Sequence, residues 1–243
     1  MRSQEIRVLD VIAFDADDTL WHNEHHYVWA QDRLQALLSG YYHGDGLQEE
    51  LDKTELANIP IFGYGTKSFG LSMIETAIRL AGDQIRGGDI LKILQLVKEM
   101  LRAPVELLDH VAEVIPALAA SHTLMVITKG DLLDQERKIA SSGLAHYFAH
   151  VEVVSDKTVG DYRSLFDRLQ IDPRSLLMVG NSLRSDILPV VSLGSHAVHV
   201  PYAITWQHET VSTQDAGSAQ GYVHLEHLGL LPAFVEQLEQ QGT

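Results

Sequence analysis

Five short apolar runs constrain this chain most: Val8–Phe14, Leu124–Ile127, Val151–Val154, Leu176–Val179 and His196–Val200. Runs this short, rich in Val, Ile and Leu, are strands covered on both faces. Between and before the later runs lie segments with helical spacing at Val105–Ala120 (with Pro116 as a possible kink), Leu132–Ser142 closed by Gly143, Tyr162–Leu169 and Ile187–Ser192 ending at Gly194. Strands that alternate with helices make a parallel sheet flanked by helices, the α/β class.

One stretch breaks the alternation. From Trp21 to about Leu101 the apolar spacing is helical throughout. The predicted helices are Glu24–Tyr42, Leu47–Ala57, Thr66–Ala81 and Ile90–Leu101, with Gly82, Gly87 and Gly88 as breakers. The predicted organisation is therefore a discontinuous core, residues 1–20 and 105–243, with a helical domain inserted at 21–104. The polar stretch Ser212–Gln220 reads as a loose loop. No stretch of about 18 uncharged apolar residues exists, so no membrane-spanning helix is expected. Met1–Gln4 is polar and the first apolar run stops at Asp15, which does not fit a signal peptide. With 33 acidic against 18 basic residues the formal net charge is −15, which argues against nucleic acid or an anionic membrane as partner. The chain has no cysteine, excluding disulfides and thiol catalysis and fitting a reducing, cytoplasmic setting.

In a parallel α/β sheet, ligands bind beyond the carboxyl ends of the strands. After the first run come Asp15, Asp17 and Thr19; after the second, Thr128 and Lys129; after the third, Lys157; after the fourth, Gly180, Asn181 and Asp186. Carboxylates, lysines and a threonine hydroxyl converging there suit a divalent cation and a phosphoryl group. Other features carry less. Gly63–Ser68 looks like a phosphate-binding P-loop, but Thr66 stands before Lys67 and no strand feeds it. His22, His25 and His26 lack the spacing of a zinc site.

Phe14-Asp15-Ala16-Asp17-Asp18-Thr19-Leu20 resembles the first motif of the haloacid dehalogenase superfamily, Asp-x-Asp-x-Thr after an apolar strand. Val126-Ile127-Thr128 resembles the second motif, Lys157 the third, and Gly180–Ile187 the acidic fourth, closing on Asp186. The four occur in order across almost the whole chain. The resemblance implies a Rossmann-like parallel core with an inserted helical cap of the type-1 kind. It implies that Asp15 is the nucleophile, that Asp17 is the general acid and base, and that Mg²⁺ rests on Asp15, the backbone carbonyl of Asp17, and Asp186. Thr128 and Lys157 would hold the phosphoryl group, with Lys129 as a rival lysine. Asn181 stands where relatives commonly carry an acid and would be an outer neighbour of the metal. Tyr64 and Lys67, on the cap loop, are candidates for substrate contact.

The chemistry is consistent with that spacing. A carboxylate is already ionised at neutral pH and can attack phosphorus. A second carboxylate two residues on can protonate the leaving oxygen and then deprotonate water. A halide leaving group needs no proton, so Asp17 argues against dehalogenation. The expected function is a Mg²⁺-dependent phosphatase for a small phosphorylated metabolite, through an aspartyl-phosphate. The alternatives are a phosphomutase, which uses the same two carboxylates, and a catalytically idle ligand-binding or regulatory protein. The natural substrate and the oligomeric state are not legible.

Overall fold

β1 (Val11–Phe14) lies at the centre of a six-stranded sheet, and the computed structural model describes it together with residues 8–204, 206, 209 and 221–241. The predicted loose loop Ser212–Gln220 lies outside the described residues. The sheet order is β3 (Phe148–Val154), β2 (Thr123–Lys129), β1, β4 (Leu176–Gly180), β5 (His196–His199) and β6 (Val223–His224). β1 pairs in parallel with both β2 and β4, Phe14 standing opposite Val126 and Val179. The order reverses at β1, so the crevice at its carboxyl end is where such a sheet takes a ligand.

The chain divides into two compact units. The first comprises the described residues of Met1–His22, Val105–Thr128 and Lys138–Thr243; the second comprises Asn23–Pro104 and Lys129–Arg137. In the first unit, the alternating side chains of the strands feed two cores. Ile12, Phe14, Leu124, Val126, Leu177 and Val179 go to one face; Ala13, Met125, Ile127 and Met178 go to the other. In the second unit, α1 (Glu24–Leu38), α2 (Leu47–Phe62), α3 (Thr66–Ala81) and α4 (Gly87–Arg102) enclose a core of Ala30, Leu34, Leu51, Phe69, Met73 and Ile93.

Several boundaries differ from the sequence reading, each for a physical reason. β1 begins at Val11, because Val8 and Leu9 instead donate their amides to the Glu239 carboxylate. α4 starts at Gly87: the first-turn amides of a helix have no intrahelical acceptor, so glycines there break nothing. α2 runs on through Pro60, whose exposed position leaves the freed carbonyl of Leu56 on the outer side. The helix expected from Val105, α5 (Val111–Ala119), begins at Val111, since Glu106–Leu108 lies along Leu20–His22 through two backbone hydrogen bonds. α6 (Leu132–Ser141) and α7 (Val159–Leu169) fall close to their predicted spans. Leu183–Ile187 is a π-turn before the short α8 (Leu188–Val191). Neither β6 nor the last helix, α9 (Leu231–Gln241), is anticipated; Leu231 and Val235 of α9 join the core around Val111 and Ile115.

Candidate active site

Asp15 follows β1 directly, and its amide donates to the Val179 carbonyl of β4, fixing it to the sheet (2.9 Å). The next residues turn back tightly: Leu20 N–H donates to the Ala16 carbonyl (2.8 Å), and Asp18 takes a left-handed φ of 61°. Aspartate tolerates that conformation better than most residues. The turn returns Thr19 to Asp15, whose Oδ2 accepts the Thr19 hydroxyl at 3.2 Å.

The other half of the site comes from β4. Gly180 ends the strand, and a Cβ there would run into the Asp186 carboxylate, so only glycine lets Asp186 fold back over the strand end. Asp186 Oδ2 accepts the Ser182 amide (3.0 Å), while Ser182 caps the π-turn by accepting the Ser185 amide (3.0 Å). Single π-turns of this kind recur at functional sites. Lys157, just after β3, joins the halves. Its ammonium donates to Asp15 Oδ1 and, at 2.7 Å, to Asp186 Oδ1, and its side chain is 1% exposed.

The electrostatics follow from burial. Loss of water, then the neighbouring Asp186 charge, push the Asp15 carboxyl up to about 7 against the opposing pull of Lys157. Burial also works against the Lys157 charge, but Asp15 and Asp186 hold that ammonium above the ordinary lysine range. One ammonium therefore under-compensates two carboxylates in a dry pocket. A hard divalent cation fits that deficit. Among the described residues no three acidic or histidine side chains form a metal cage, so a cation there would rest on the Asp15 and Asp186 carboxylates and on water, as Mg²⁺ commonly does.

Asp17 faces a different set of partners. Its Oδ1 accepts Trp21 Nε1–H at 2.7 Å, and Lys138 Nζ lies 3.0 Å from both carboxylate oxygens. Thr128 is buried at the end of β2, two residues past the Val126 that stands opposite Phe14. Asn181 donates its amide to the Thr19 hydroxyl (3.1 Å), has its side-chain oxygen 3.2 Å from that hydroxyl, and engages His199 Nε2 through its carbonyl (3.0 Å). Asp15, Asp17, Lys157, Asp186 and Asn181 are thus brought together in one unit. Lys129, Tyr64 and Lys67 lie in the other. The Lys129 ammonium lies over the Tyr64 ring at 4.3 Å, and Lys67 pairs with Asp131 at 2.7 Å.

Two residues escape sequence reasoning. Lys138 sits mid-helix, and its only clue is that it shares the inward face of α6 with Gln135 and Ile139. Glu209 belongs to no motif, yet its carboxylate accepts the hydroxyls of Ser182 and Ser185, the latter at 2.6 Å.

Comparison with known proteins agrees with this architecture. No curated protein sequence matches the chain. A haloacid dehalogenase-like family hydrolase from Xanthomonas campestris is 36% identical, with a TM-score of 0.86 over 98% of this chain and 95% of that one. YfnB of Bacillus subtilis, a HAD-hydrolase structure bound to magnesium, is 17% identical (TM-score 0.65; 94% and 99% covered). A predicted phosphoglycolate phosphatase from Haemophilus somnus is 16% identical (TM-score 0.64; 94% and 99% covered). Solved 2-haloacid dehalogenases match at similar identity, 19% and 15%, so the more distant structures speak for the fold alone. The family model for haloacid dehalogenase-like hydrolases matches residues 9–194, from just before β1 to just past α8. With Asp15 directly after β1, a buried lysine after β3 and a folded-back Asp186 in that span, the chain belongs to the haloacid dehalogenase-like hydrolases.

Proposed function

We propose that this hydrolase is a Mg²⁺-dependent phosphatase that cleaves a small phosphorylated metabolite through an aspartyl-phosphate on Asp15. The observation that carries the reading is Asp17. A second carboxylate stands two residues beyond the nucleophile, part-buried and held by an indole and an ammonium. Expelling a halide requires no proton donor, whereas expelling an alkoxide does.

In this reading an Asp15 oxygen attacks phosphorus, the bond from phosphorus to the leaving oxygen breaks, and the departing alkoxide takes its proton from Asp17. Asp17, now a carboxylate, accepts a proton from the water that attacks the phospho-aspartate, and inorganic phosphate leaves. Lys157, which touches Asp15 and Asp186, and Thr128 would hold the non-bridging oxygens. Mg²⁺, when bound at Asp15, the Asp17 carbonyl and Asp186, supplies positive charge to the phosphoryl oxygens. The residues of the second unit are a cap in this reading, with Lys129, Tyr64 and Lys67 as its contribution to substrate contact and Asn181 as an outer neighbour of the metal. The small substrate, the cytoplasmic setting and the lack of a nucleic-acid partner complete the proposal. No described helix is long and apolar enough to cross a membrane.

The matched 2-haloacid dehalogenases make dehalogenation the competing activity. A panel of phosphomonoesters and 2-chloropropionate, each with Mg²⁺ or with EDTA, separates the two. Phosphate release that requires Mg²⁺, with no chloride release, is expected. Chloride release without phosphate release overturns the proposal.

A further inference from the structure

We infer that Lys138, with Trp21, is a positioning residue that fixes the carboxylate of Asp17; this rests on the phosphatase reading above. Lys138 lies on the face of α6 that also carries the buried Gln135 and Ile139, so its stem runs inward rather than into water. Its side chain is 13% exposed and that of Asp17 22%, unlike an ordinary surface pair. The ammonium is equidistant, 3.0 Å, from both Asp17 oxygens, and the Trp21 indole donates to one of them from the other end of the turn.

Three donor contacts from two elements leave the carboxylate little freedom to rotate. Trp21 is itself immobilised. Its ring is fully buried, its carbonyl accepts the Asp18 amide (2.8 Å), and it bridges to Leu107. Lys157 cannot serve Asp17 in the same way, because its ammonium is engaged with Asp15 and Asp186. The two lysines thus divide the work: one joins the nucleophile to Asp186, the other orients the proton carrier. Proton transfer to a leaving oxygen demands hydrogen-bond geometry, and a carboxylate free to swing satisfies it only part of the time.

The test compares two esters at saturating Mg²⁺: 2,4-dinitrophenyl phosphate, whose leaving group needs no proton, and ethyl phosphate, whose leaving group does. Lys138→Met keeps the apolar stem and removes the donor. It should lower kcat/KM for ethyl phosphate by about 30- to 1,000-fold and for the dinitrophenyl ester by less than about threefold. Lys138→Arg, which restores a charged donor, should recover most of the loss. A second readout needs no turnover: the indole N–H resonance of Trp21, identified by its loss in Trp21→Phe, should shift in Lys138→Met. Equal losses on the two esters, or an unmoved indole resonance, overturn the positioning role. Wild-type protein that releases phosphate from neither ester overturns the phosphatase reading instead, and the indole resonance then decides the positioning claim alone.

Discussion

Both units of the molecule bury polar side chains, but they bury different kinds. In the helical unit the buried groups are mostly neutral, and their hydrogen bonds join α2 to α3 or close within one helical turn. Thr76 donates to Thr54 (3.0 Å), and Thr54 donates to the Glu50 carbonyl (2.7 Å). Asn58 donates to Ser72 (3.1 Å), which donates to the Ser68 carbonyl (3.0 Å). Where a carboxylate is buried there, as at Asp89, its lysine partner Lys92 is 66% exposed. In the α/β unit the buried groups at the strand ends include an ionisable cluster, and Lys157 is as buried as Asp186. Burying ions costs several kcal/mol per charge unless they are well paired. A neutral network costs little and gives a core its register, whereas a concentrated set of buried ions is a sign of chemistry.

The sharpest way to break this contrast is Asp15→Asn. Turnover should fall by about four decades or more, since the amide cannot form an acyl-phosphate. The folded state should survive, because Lys157 keeps Asp186 and a carboxyl disfavoured by burial is removed. Phosphate release and a thermal melt check both halves. More than about a tenth of wild-type activity would remove Asp15 from the nucleophile role.

Thr76→Val asks the opposite of the helical unit. Losing one buried hydroxyl contact should cost about 1 kcal/mol of stability and lower the melting midpoint by about 2–4 °C. Turnover at saturating substrate should stay within about twofold of wild type. A larger kinetic than thermal effect would place the hydroxyl network in the reaction.

Glu55, half-buried on α2, sharpens the comparison most finely, as an ionisable group in the unit whose buried polar groups are mostly neutral. Burial, and then the Asp52 charge, push its carboxyl up to about 8. The sign follows from linkage. A carboxyl that titrates higher in the folded chain than in the unfolded one favours the fold when neutral, so its contribution is lost as pH rises from about 4.5 to about 8. Glu55→Gln should raise stability by about 0.5–1 kcal/mol at pH 8.5, discounted for partial exposure, and by almost nothing at pH 4.5. Equal gains at the two pH values would trace the effect to something other than its charge.

Much of this is legible in the sequence because a parallel sheet ties function to position. Asp15, Lys157 and Asp186 each follow an apolar run, so locating the strands locates the site. Lys138 is not legible in that way. A mid-helix lysine reads as solvated until packing shows which face of α6 turns inward. Gly180 looks like an ordinary strand terminator, and its need to make room appears only once Asp186 folds back. Lys129 and Lys67 are visible as cations, but their partners Tyr64 and Asp131 depend on which loops meet, which spacing does not encode. The missed helix α9 is the reverse case: Leu231, Val235 and Leu238 carry helical spacing in plain view.

The link through Lys157 bears on how the chain reaches its native state. Its ammonium joins a residue 142 positions earlier in the chain to one 29 positions later. Contacts so distant in sequence repay their loop-closure entropy only after much of the sheet has paired. Each strand end alone presents a charge that is more comfortable in water, so nothing local nucleates the cluster. The site therefore assembles late, and a nascent or partly folded chain carries the motifs without the pocket. A ligand that needs Asp15, Lys157 and Asp186 together then recognises only the completed fold, and its binding energy adds to the stability of that state alone.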